Sequence, residues 1–294
     1  MKVLISGSSG FVGQHLVDEI KKTTHQFIDL PIEIDICEAD SVESFIHEHS
    51  PDVIFHLAAI SAIPECEKNF KKALEVNVLG TENILNSARK LSSPPKIIFI
   101  SSANVYGIVS DEELPLNETS LVKPNNNYAI TKVMAEELVK KYERDTKTSC
   151  VIFRAFNHVG PGQTENFVIP SFIKQVADIK KGTQSPKMRV GNLTAKKDFS
   201  DVRDIVKAYV KAIDSGSGVY NLGSGNIYSV EEILAKIISY GGEEVQVEID
   251  PERYRENELP VLSTSTKKAN QDLDWQAKIS IDQSIADIFA SMSS

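Results

Sequence analysis

A tyrosine and a lysine stand four residues apart in the segment YAITK, as Tyr128 and Lys132. On a helix this spacing puts both side chains on one face, about one turn from each other. A phenol exchanges protons at neutral pH when its pKa is lowered, and a nearby ammonium lowers it by favouring the phenolate. The pair alone also fits a core tyrosine beside a solvated lysine, so a third residue is needed to decide.

Ser102 supplies that third residue, in the segment FISSANVYG. It follows the apolar run of a predicted strand, and ligands bind at the carboxyl ends of strands in open parallel sheets. A hydroxyl there can hold a substrate oxygen beside the tyrosine. The three residues together predict a site where a substrate oxygen lies beside a phenol and an ammonium.

Three glycines, Gly7, Gly10 and Gly13, follow the first apolar run in LISGSSGFVGQHL. A glycine turn between a strand and a helix lets the backbone approach a pyrophosphate, which the helix N-terminus then binds. The spacing differs from the commonest Gly-x-Gly-x-x-Gly fingerprint. Its place between strand and helix is the context that a dinucleotide site requires.

Asp29 ends the second predicted strand, sixteen residues after Gly13. A carboxylate there accepts hydrogen bonds from the ribose hydroxyls and repels a 2′-phosphate. The following residues LPIEID contain no Arg or Lys to bind that phosphate. The sequence therefore favours NAD(H), with NADP(H) as the alternative cofactor. A solvated loop aspartate is the other interpretation of Asp29, and Asp35 and Ile36 are candidates to approach the adenine.

The elements that must position these residues alternate between strand and helix. Apolar runs predict strands at Lys2–Ser6, Gln26–Leu30, Asp52–Leu57, Lys96–Ser101 and Ser149–Ala155. Helical periodicity predicts helices at Val12–Lys22, from Asp40 as N-cap through His49, at Lys71–Leu91 and at Asn127–Asp145. This order predicts an α/β fold with a doubly wound parallel sheet.

The pattern changes after residue 156, with a loop rich in glycine and proline. Helices are expected near 167–181, 201–214, 229–240 and 280–291, and short strands near 187–190, 218–222 and 245–249. We expect residues 1–156 to form the cofactor-binding domain and residues 157–294 a smaller C-terminal α/β substrate-binding lobe. The two interleave without a clean linker.

Composition excludes several classes of protein. The formal net charge of −9 over 294 residues leaves no basic stripe for nucleic acid. The apolar runs are too short to cross a bilayer. Three widely spaced cysteines and six histidines give no metal-ligand spacing, so no metal is expected. The cysteines and the absence of a signal-peptide pattern favour reduced thiols in a cytoplasmic protein.

Five motifs in order, GSSGFVG, HLAA, NVLGT, SSANVYG and YAITK, resemble the extended short-chain dehydrogenase/reductase family over essentially the whole chain. The resemblance implies a Rossmann-like fold and a catalytic group of Ser102, Tyr128 and Lys132. In such a group Ser102 orients a carbonyl, Tyr128 protonates its oxygen, and Lys132 keeps the pKa of the phenol low. It implies cofactor contacts from Tyr128 and Lys132 and from Gly7, Gly10, Phe11, Val12, Gly13, Asp29, Asp35, Ile36, Leu57, Ala58, Ala59 and Asn77. Asn77 could equally bond to neighbouring backbone, and His56 is interpreted as a packed strand histidine.

Three later motifs narrow the resemblance to the members of that family that reduce GDP-4-dehydro-6-deoxy-D-mannose. They are FNHVGPGQ, VGNLTAKKDFSDVRD and RENELP. The resemblance implies that Ser102 and a further set face the nucleotide sugar, namely Asn157, Val190, Asn192, Leu193, Arg255 and Glu258. Arg255 would suit a diphosphate and Glu258 a ribose, although a charged surface run is the other interpretation of Arg255. Lys197 and Glu256 depart from the usual pattern, so the base stays open.

Asn104 bears on the reaction type. Related sugar-nucleotide 4,6-dehydratases carry an acidic residue two positions after the serine or threonine, and an amide cannot shuttle the protons of water elimination. The prediction is therefore 4-keto reduction of a nucleotide sugar. The alternatives are a 4-epimerase that retains NAD and a non-catalytic NAD-binding sensor or scaffold.

A second apolar stripe on each long helix predicts a homodimer. The residues of these stripes are Val133, Ala135, Leu138 and Val139 on one helix, and Ala73, Leu74, Val78 and Leu85 on the other.

Overall fold

The computed structural model describes residues 1–253 and 261–293. Its strands are β1 (Lys2–Ser6), β2 (Gln26–Leu30), β3 (Val53–His56), β4 (Lys96–Ser102), β5 (Val151–Ala155), β6 (Asn157–Val159), β7 (Lys187–Val190), β8 (Lys196–Asp201), β9 (Gly218–Leu222), β10 (Ile227–Ser229), β11 (Gln246–Ile249) and β12 (Val261–Leu262). Its helices are α1 (Phe11–Ile20), α2 (Ala39–His49), α3 (Ile63–Lys68), α4 (Phe70–Leu74), α5 (Gly80–Arg89), α6 (Asn127–Thr146), α7 (Val168–Lys180), α8 (Val202–Asp214), α9 (Val230–Gly241), α10 (Lys267–Leu273) and α11 (Ile281–Ser293).

A parallel sheet in the order β2-β1-β3-β4-β5-β9 forms the centre of the fold. Successive side chains of a strand face opposite sides, so Val3 and Ile5 pack against α1 and α8 while Leu4 packs against α2, α5 and α6. Helices therefore cover both faces, which explains why these strands are apolar throughout. The predicted doubly wound α/β sheet is confirmed.

The chain changes direction across the sheet at β1, because β2 lies on one side of it and β3 on the other. The carboxyl ends of β1 and β3 meet there: the Ser6 carbonyl accepts the N–H groups of Leu57 at 3.0 Å and Ala58 at 3.1 Å. A crevice at such a reversal is the usual ligand site of an open α/β sheet.

The C-terminal half contributes to both parts of the molecule. Its strand β9 pairs with β5 at the edge of the main sheet, and α8 packs against α1 beneath it. The remaining strands form two small sheets, in which β8 pairs with β6, β10 and β12, and β7 pairs with β11. Helices α7, α9 and α11 enclose a separate apolar core there. Strand β9, although it comes from the C-terminal half, is thus part of the main sheet.

Two of the predicted helices differ in detail. The expected helix over 71–91 is divided into α4 and α5 by a π-helical turn at Glu75–Leu79. Asp40 was expected to be the N-cap of its helix, but α2 begins at Ala39, so Asp40 is the second residue of the helix. No side chain caps α2. A residue with helical backbone cannot act as an N-cap.

The expected second apolar stripes are mostly internal. Ala135, Val139 and Leu85 were expected on an outward-facing stripe, but their side chains are buried between the helices and the sheet. The large apolar side chains exposed on these helices are Leu79, 57% exposed, and Met134, 42% exposed. No helix within the described residues has the length and apolar character needed to cross a membrane.

Candidate active site

The turn after β1 depends on its glycines in two ways. Gly7 has φ +82°, a conformation that favours glycine, and a Cβ on it would lie 2.8 Å from the Ala58 nitrogen. A Cβ on Gly13 would lie 2.1 Å from the Gly7 carbonyl oxygen, so Gly13 lets α1 pack closely against the turn. Gly10 has no such internal contact, since its Cβ would lie 3.4 Å from the same oxygen.

The first turn of α1 fits a pyrophosphate. Gly10 is the N-cap and offers no side chain to the free N–H groups of the helix, Phe11 and Val12 come next, and Gly10 is exposed. Unpaired amides and the helix dipole bind anions, and a residue without a side chain leaves them accessible. The Phe11 ring lies nearly parallel to His158 with centroids 6.1 Å apart, so it joins this turn to β6.

Asp29 is exposed at the carboxyl end of β2, where sequence reasoning placed it. Its carboxylate accepts a hydrogen bond from the Ser8 hydroxyl of the glycine turn. The carboxylate therefore lies beside the turn, at the position expected of a group that binds the adenosine ribose.

Asp35 and Ile36 differ in their exposure. Asp35 is exposed, and its carboxylate accepts the Cys37 N–H at 2.9 Å, which lowers the pKa of Asp35. The Ile36 side chain is buried, and a Cβ on Gly80 would lie 2.7 Å from its Cδ1. Contact between Ile36 and an adenine stays a prediction that its buried side chain does not favour.

Asn77 lies in the π-helical turn and clamps the loop that follows β3. Its Oδ1 accepts the Ile60 N–H at 2.7 Å, and its Nδ2 donates to the Ile60 carbonyl at 3.0 Å and to Thr131 Oγ1 at 3.0 Å. A π-helical turn is a common feature of functional sites. The side chain is thus engaged locally, and it joins Ile60, which follows the half-buried segment Leu57–Ala59, to Thr131 of α6.

His56 has a packing role, as interpreted from the sequence. Its Nδ1 is 2.7 Å from Ser6 Oγ and its Nε2 is 2.9 Å from Thr81 Oγ1. Burial, with the nearby charge of Lys132, lowers the pKa of His56 to about 3. The imidazole is therefore neutral at physiological pH and joins β1, β3 and α5.

Ser102, Tyr128 and Lys132 come together at the carboxyl end of β4. Ser102 Oγ accepts the N–H of Asn104 at 3.2 Å and its Nδ2 at 3.0 Å. Lys132 Nζ donates to the Ile100 carbonyl at 2.8 Å and lies 5.9 Å from the centroid of the Tyr128 ring. Helix α6 therefore presents Tyr128 and Lys132 to the strand end that carries Ser102.

Burial controls the protonation of these groups. It raises the pKa of Tyr128 to about 12, although a hydrogen bond with Ser102 acts in the opposite direction. Burial also lowers the pKa of Lys132 to about 8, against the attraction of Cys66 and Glu136. The low pKa expected for Tyr128 is not found in this structure, because desolvation outweighs the hydrogen bond with Ser102. A protonated phenol at neutral pH is the form that donates a proton.

The residues expected to face a nucleotide sugar have different settings in the smaller lobe. Asn157 is half-buried, and its Nδ2 lies 3.4 Å from the Asp198 carbonyl. Val190 has no exposed surface, while Leu193 packs at the edge of the same core. Asn192 accepts the Thr194 N–H at 2.9 Å within its own loop. Arg255 and Glu258 lie outside the described residues.

Sequence reasoning missed two groups that support this site. Thr131, between Tyr128 and Lys132, donates to the Tyr128 carbonyl at 2.7 Å and contacts Asn77. Glu136 lies one helical turn beyond Lys132 and bonds to β4 and β5. Its spacing of four from Lys132 indicated that both side chains share one face of the helix. The sequence could not show its partners, because Ser101 and Arg154 lie in distant segments. In the described ranges, no cluster of His, Cys, Asp or Glu could hold a metal ion.

Known proteins resemble the chain over nearly its full length. Residues 28–288 match the model of a family described as GDP-mannose 4,6 dehydratase. GDP-6-deoxy-D-mannose reductase of Pseudomonas aeruginosa is 32% identical, with 98% of this chain and 96% of that protein covered. UDP-glucose 4-epimerase of Bacillus subtilis is 26% identical, with 98% and 95% covered.

A solved structure gives the same result for the fold. The structure of RMD from Pseudomonas aeruginosa complexed with NADPH superposes with a TM-score of 0.92 at 31% identity. The match covers 99% of this chain and 98% of that one. The Rossmann-like architecture is therefore shared over both the sheet and the smaller lobe.

Proposed function

Because the chain belongs to the GDP-mannose 4,6-dehydratase family, we propose that it reduces the 4-keto group of a nucleotide-linked 4-keto-6-deoxy sugar with NAD(P)H. The similarity to the reductase from Pseudomonas aeruginosa, which extends over nearly the full length of both chains, supports reduction as the reaction. The observation that carries the proposal is the meeting of the buried Ser102, Tyr128 and Lys132 at the carboxyl end of β4.

In the proposed reaction Ser102 donates a hydrogen bond to the keto oxygen and holds it beside Tyr128. A bound NAD(P)H supplies the hydride that is added to carbon 4. Tyr128 gives its proton to the oxygen as negative charge develops there. The Lys132 ammonium lies beside the Tyr128 ring and stabilises the tyrosinate that remains, and the buried setting strengthens this attraction.

Asn104 supports reduction over dehydration. Its amide donates to Ser102 Oγ at 3.0 Å and thus lies within the site, where it has no proton to exchange. The hydrogen bond also fixes the Ser102 oxygen beside Tyr128, with which Ser102 forms a further hydrogen bond. We expect no water elimination from a GDP-hexose, which analysis of the products by mass spectrometry would test.

We propose NAD(H) as the favoured cofactor and NADP(H) as the alternative. The Asp29 carboxylate, exposed beside the glycine turn, supports a preference for NAD(H). The similar Pseudomonas structure is a complex with NADPH. Asp29→Ala should weaken NADH and relieve the repulsion of a 2′-phosphate. The ratio of kcat/KM for NADH and NADPH measures the effect, and a wild type that prefers NADPH would show that Asp29 does not select the cofactor.

The experiment that tests the reaction is a panel of 4-keto sugar nucleotides with different bases, including GDP-4-dehydro-6-deoxy-D-mannose. Oxidation of NADH or NADPH with each substrate is followed by absorbance. If only the substrates with one particular base are reduced, that base identifies the nucleotide of the natural substrate. Tightly held NAD in the purified protein, with interconversion of 4-hydroxy epimers and no net cofactor oxidation, would instead support the epimerase. Cofactor binding without turnover on any substrate would support a sensor.

We also propose a homodimer through the helices α4–α5 and α6. The exposed Leu79 and Met134 support contact with a second copy, because large apolar side chains on neighbouring helices favour burial. Met134→Glu should shift the protein to monomers in sedimentation experiments. A wild type that sediments as a monomer at micromolar concentration would contradict the proposal.

A further inference from the structure

A buried ion pair lies directly behind the site. Arg154 of β5 donates through Nε to Glu136 Oε1 at 3.0 Å and through Nη2 to Glu136 Oε2 at 2.7 Å. The two side chains are 4% and 1% exposed. Removing two charges from water costs about as much as the attraction returns, so such a pair adds little stability and is best explained by what it fixes in place.

The pair first fixes helix α6 against β4. Glu136 Oε1 accepts the Ser101 hydroxyl at 2.6 Å, while Lys132, one turn earlier, binds the Ile100 carbonyl. Two consecutive residues of β4 are thus held by two consecutive turns of α6. The next residue of the strand is Ser102, and the preceding turn of the helix carries Tyr128.

The pair also fixes the turn that follows Ser102. Arg154 Nη1 donates to the hydroxyl of Tyr106 at 3.1 Å, and that hydroxyl donates to Asn221 Oδ1 of β9 at 2.7 Å. Tyr106 ends the short 3₁₀ turn Ala103–Tyr106. The backbone is therefore held on both sides of Ser102 by one guanidinium–carboxylate pair.

We propose that Glu136 and Arg154 are positioning residues, which hold the strand end carrying Ser102 in register with the helix carrying Tyr128 and Lys132. The proposal rests on the function proposed above for those three side chains. A displacement of about 1 Å at such a site costs up to roughly 100-fold in rate. The pair would set this register without touching the substrate.

The pKa of Lys132 depends directly on the negative charge of Glu136. The titratable groups that face Lys132 are Cys66 of α3, His56 of β3, and Tyr128 and Glu136 of its own helix. Glu136 is the carboxylate among them, and its attraction acts against the burial that lowers the pKa of Lys132. Loss of that carboxylate should therefore make Lys132 lose its proton at lower pH.

The test uses the full-length protein with ¹³Cε-labelled lysine, in which the Lys132 signal is assigned by its loss in Lys132→Met. Glu136→Gln should lower the titration midpoint of Lys132 by about one pH unit and shift the alkaline limb of kcat/KM equally. Its kcat should fall roughly 10-fold or more. The matched control is Glu137→Gln, since Glu137 is exposed and forms an ion pair at 2.7 Å with Lys140, which lies 3.8 Å from Glu136. This variant should change neither quantity.

Ser101→Ala covers the case in which Glu136→Gln does not fold. It removes one hydrogen bond and leaves the ion pair intact, so the urea midpoint should change little while kcat falls roughly 3-fold or more at constant KM. Wild-type kcat in Ser101→Ala, or an unchanged Lys132 midpoint in folded Glu136→Gln, overturns the proposal. The titration needs no substrate, so it tests the coupling of Glu136 to Lys132 even if no 4-keto sugar is reduced.

Discussion

Replacing Asn77 with alanine separates a direct role at the cofactor from a structural one. The substitution removes three hydrogen bonds, two to Ile60 and one to Thr131, from a side chain that is 2% exposed. At about 0.5–1.5 kcal/mol for each bond, the free energy of unfolding should fall by about 1.5–4.5 kcal/mol. The loop that precedes α3 should then loosen, and NADH affinity should fall with it.

Urea unfolding followed by tryptophan fluorescence measures the first effect, because the single tryptophan, Trp275, is buried in the core. NADH fluorescence measures the second. Asn83→Ala is the matched control: Asn83 donates one bond from the same helical segment to the Ile36 carbonyl at 2.9 Å, so it should lose about 1 kcal/mol. If Asn77→Ala is no less stable than Asn83→Ala but loses NADH affinity, Asn77 contacts the cofactor directly. Its effect on binding would then not come from its hydrogen bonds to Ile60 and Thr131.

Four further substitutions of buried side chains have definite expected outcomes. Tyr128→Phe should lower turnover by roughly 10²–10⁴-fold with NADH affinity retained, and near wild-type turnover would exclude Tyr128 as the proton donor. Tyr209→Phe should stabilise the protein by about 1 kcal/mol, because the buried Tyr209 hydroxyl has no hydrogen-bond partner among the described residues. Tyr142→Phe, which removes the 2.9 Å bond to the Pro95 carbonyl, should destabilise it, and equal urea midpoints would contradict both. For His56, the native pKa near 3 lies below the unfolded value of about 6.5, so the unfolded state binds the proton first. Stability should therefore fall as the pH drops from about 6.5 towards 3, and His56→Gln should make urea unfolding less acid-sensitive.

The sequence predicted those elements whose apolar pattern is unambiguous. Strands such as Lys2–Ser6 and helices such as α8 were found within one residue of their expected limits, because burial on one or both faces leaves a regular pattern. The π-helical turn was missed, since one additional residue in a turn does not disrupt apolar periodicity enough to be detected. The short strands β6, β8, β10 and β12 were missed because their partners, and not their own residues, define them.

The site was predictable to the same degree. Local spacing brought Tyr128 and Lys132 together on one helix face, and the end of a strand brought Ser102 to them. Spacing could not give the depth of burial, which raises the pKa of Tyr128 where a lowered value was expected. It also could not show that Asn77 clamps Ile60 or that Glu136 meets Arg154, since these contacts join segments distant in the chain.

The position of β9 has a consequence for how this protein is made. A ribosome releases residues 1–156 before Gly218–Leu222 exist, so β5 first emerges as an unpaired edge of an otherwise complete sheet. Such an edge is a template for pairing with another nascent chain. The face beneath it is also bare until α8 has been synthesised. A fragment cut at residue 156 would keep these defects permanently, so chimaeras that exchange the smaller lobe should retain α8 and β9 with the N-terminal part.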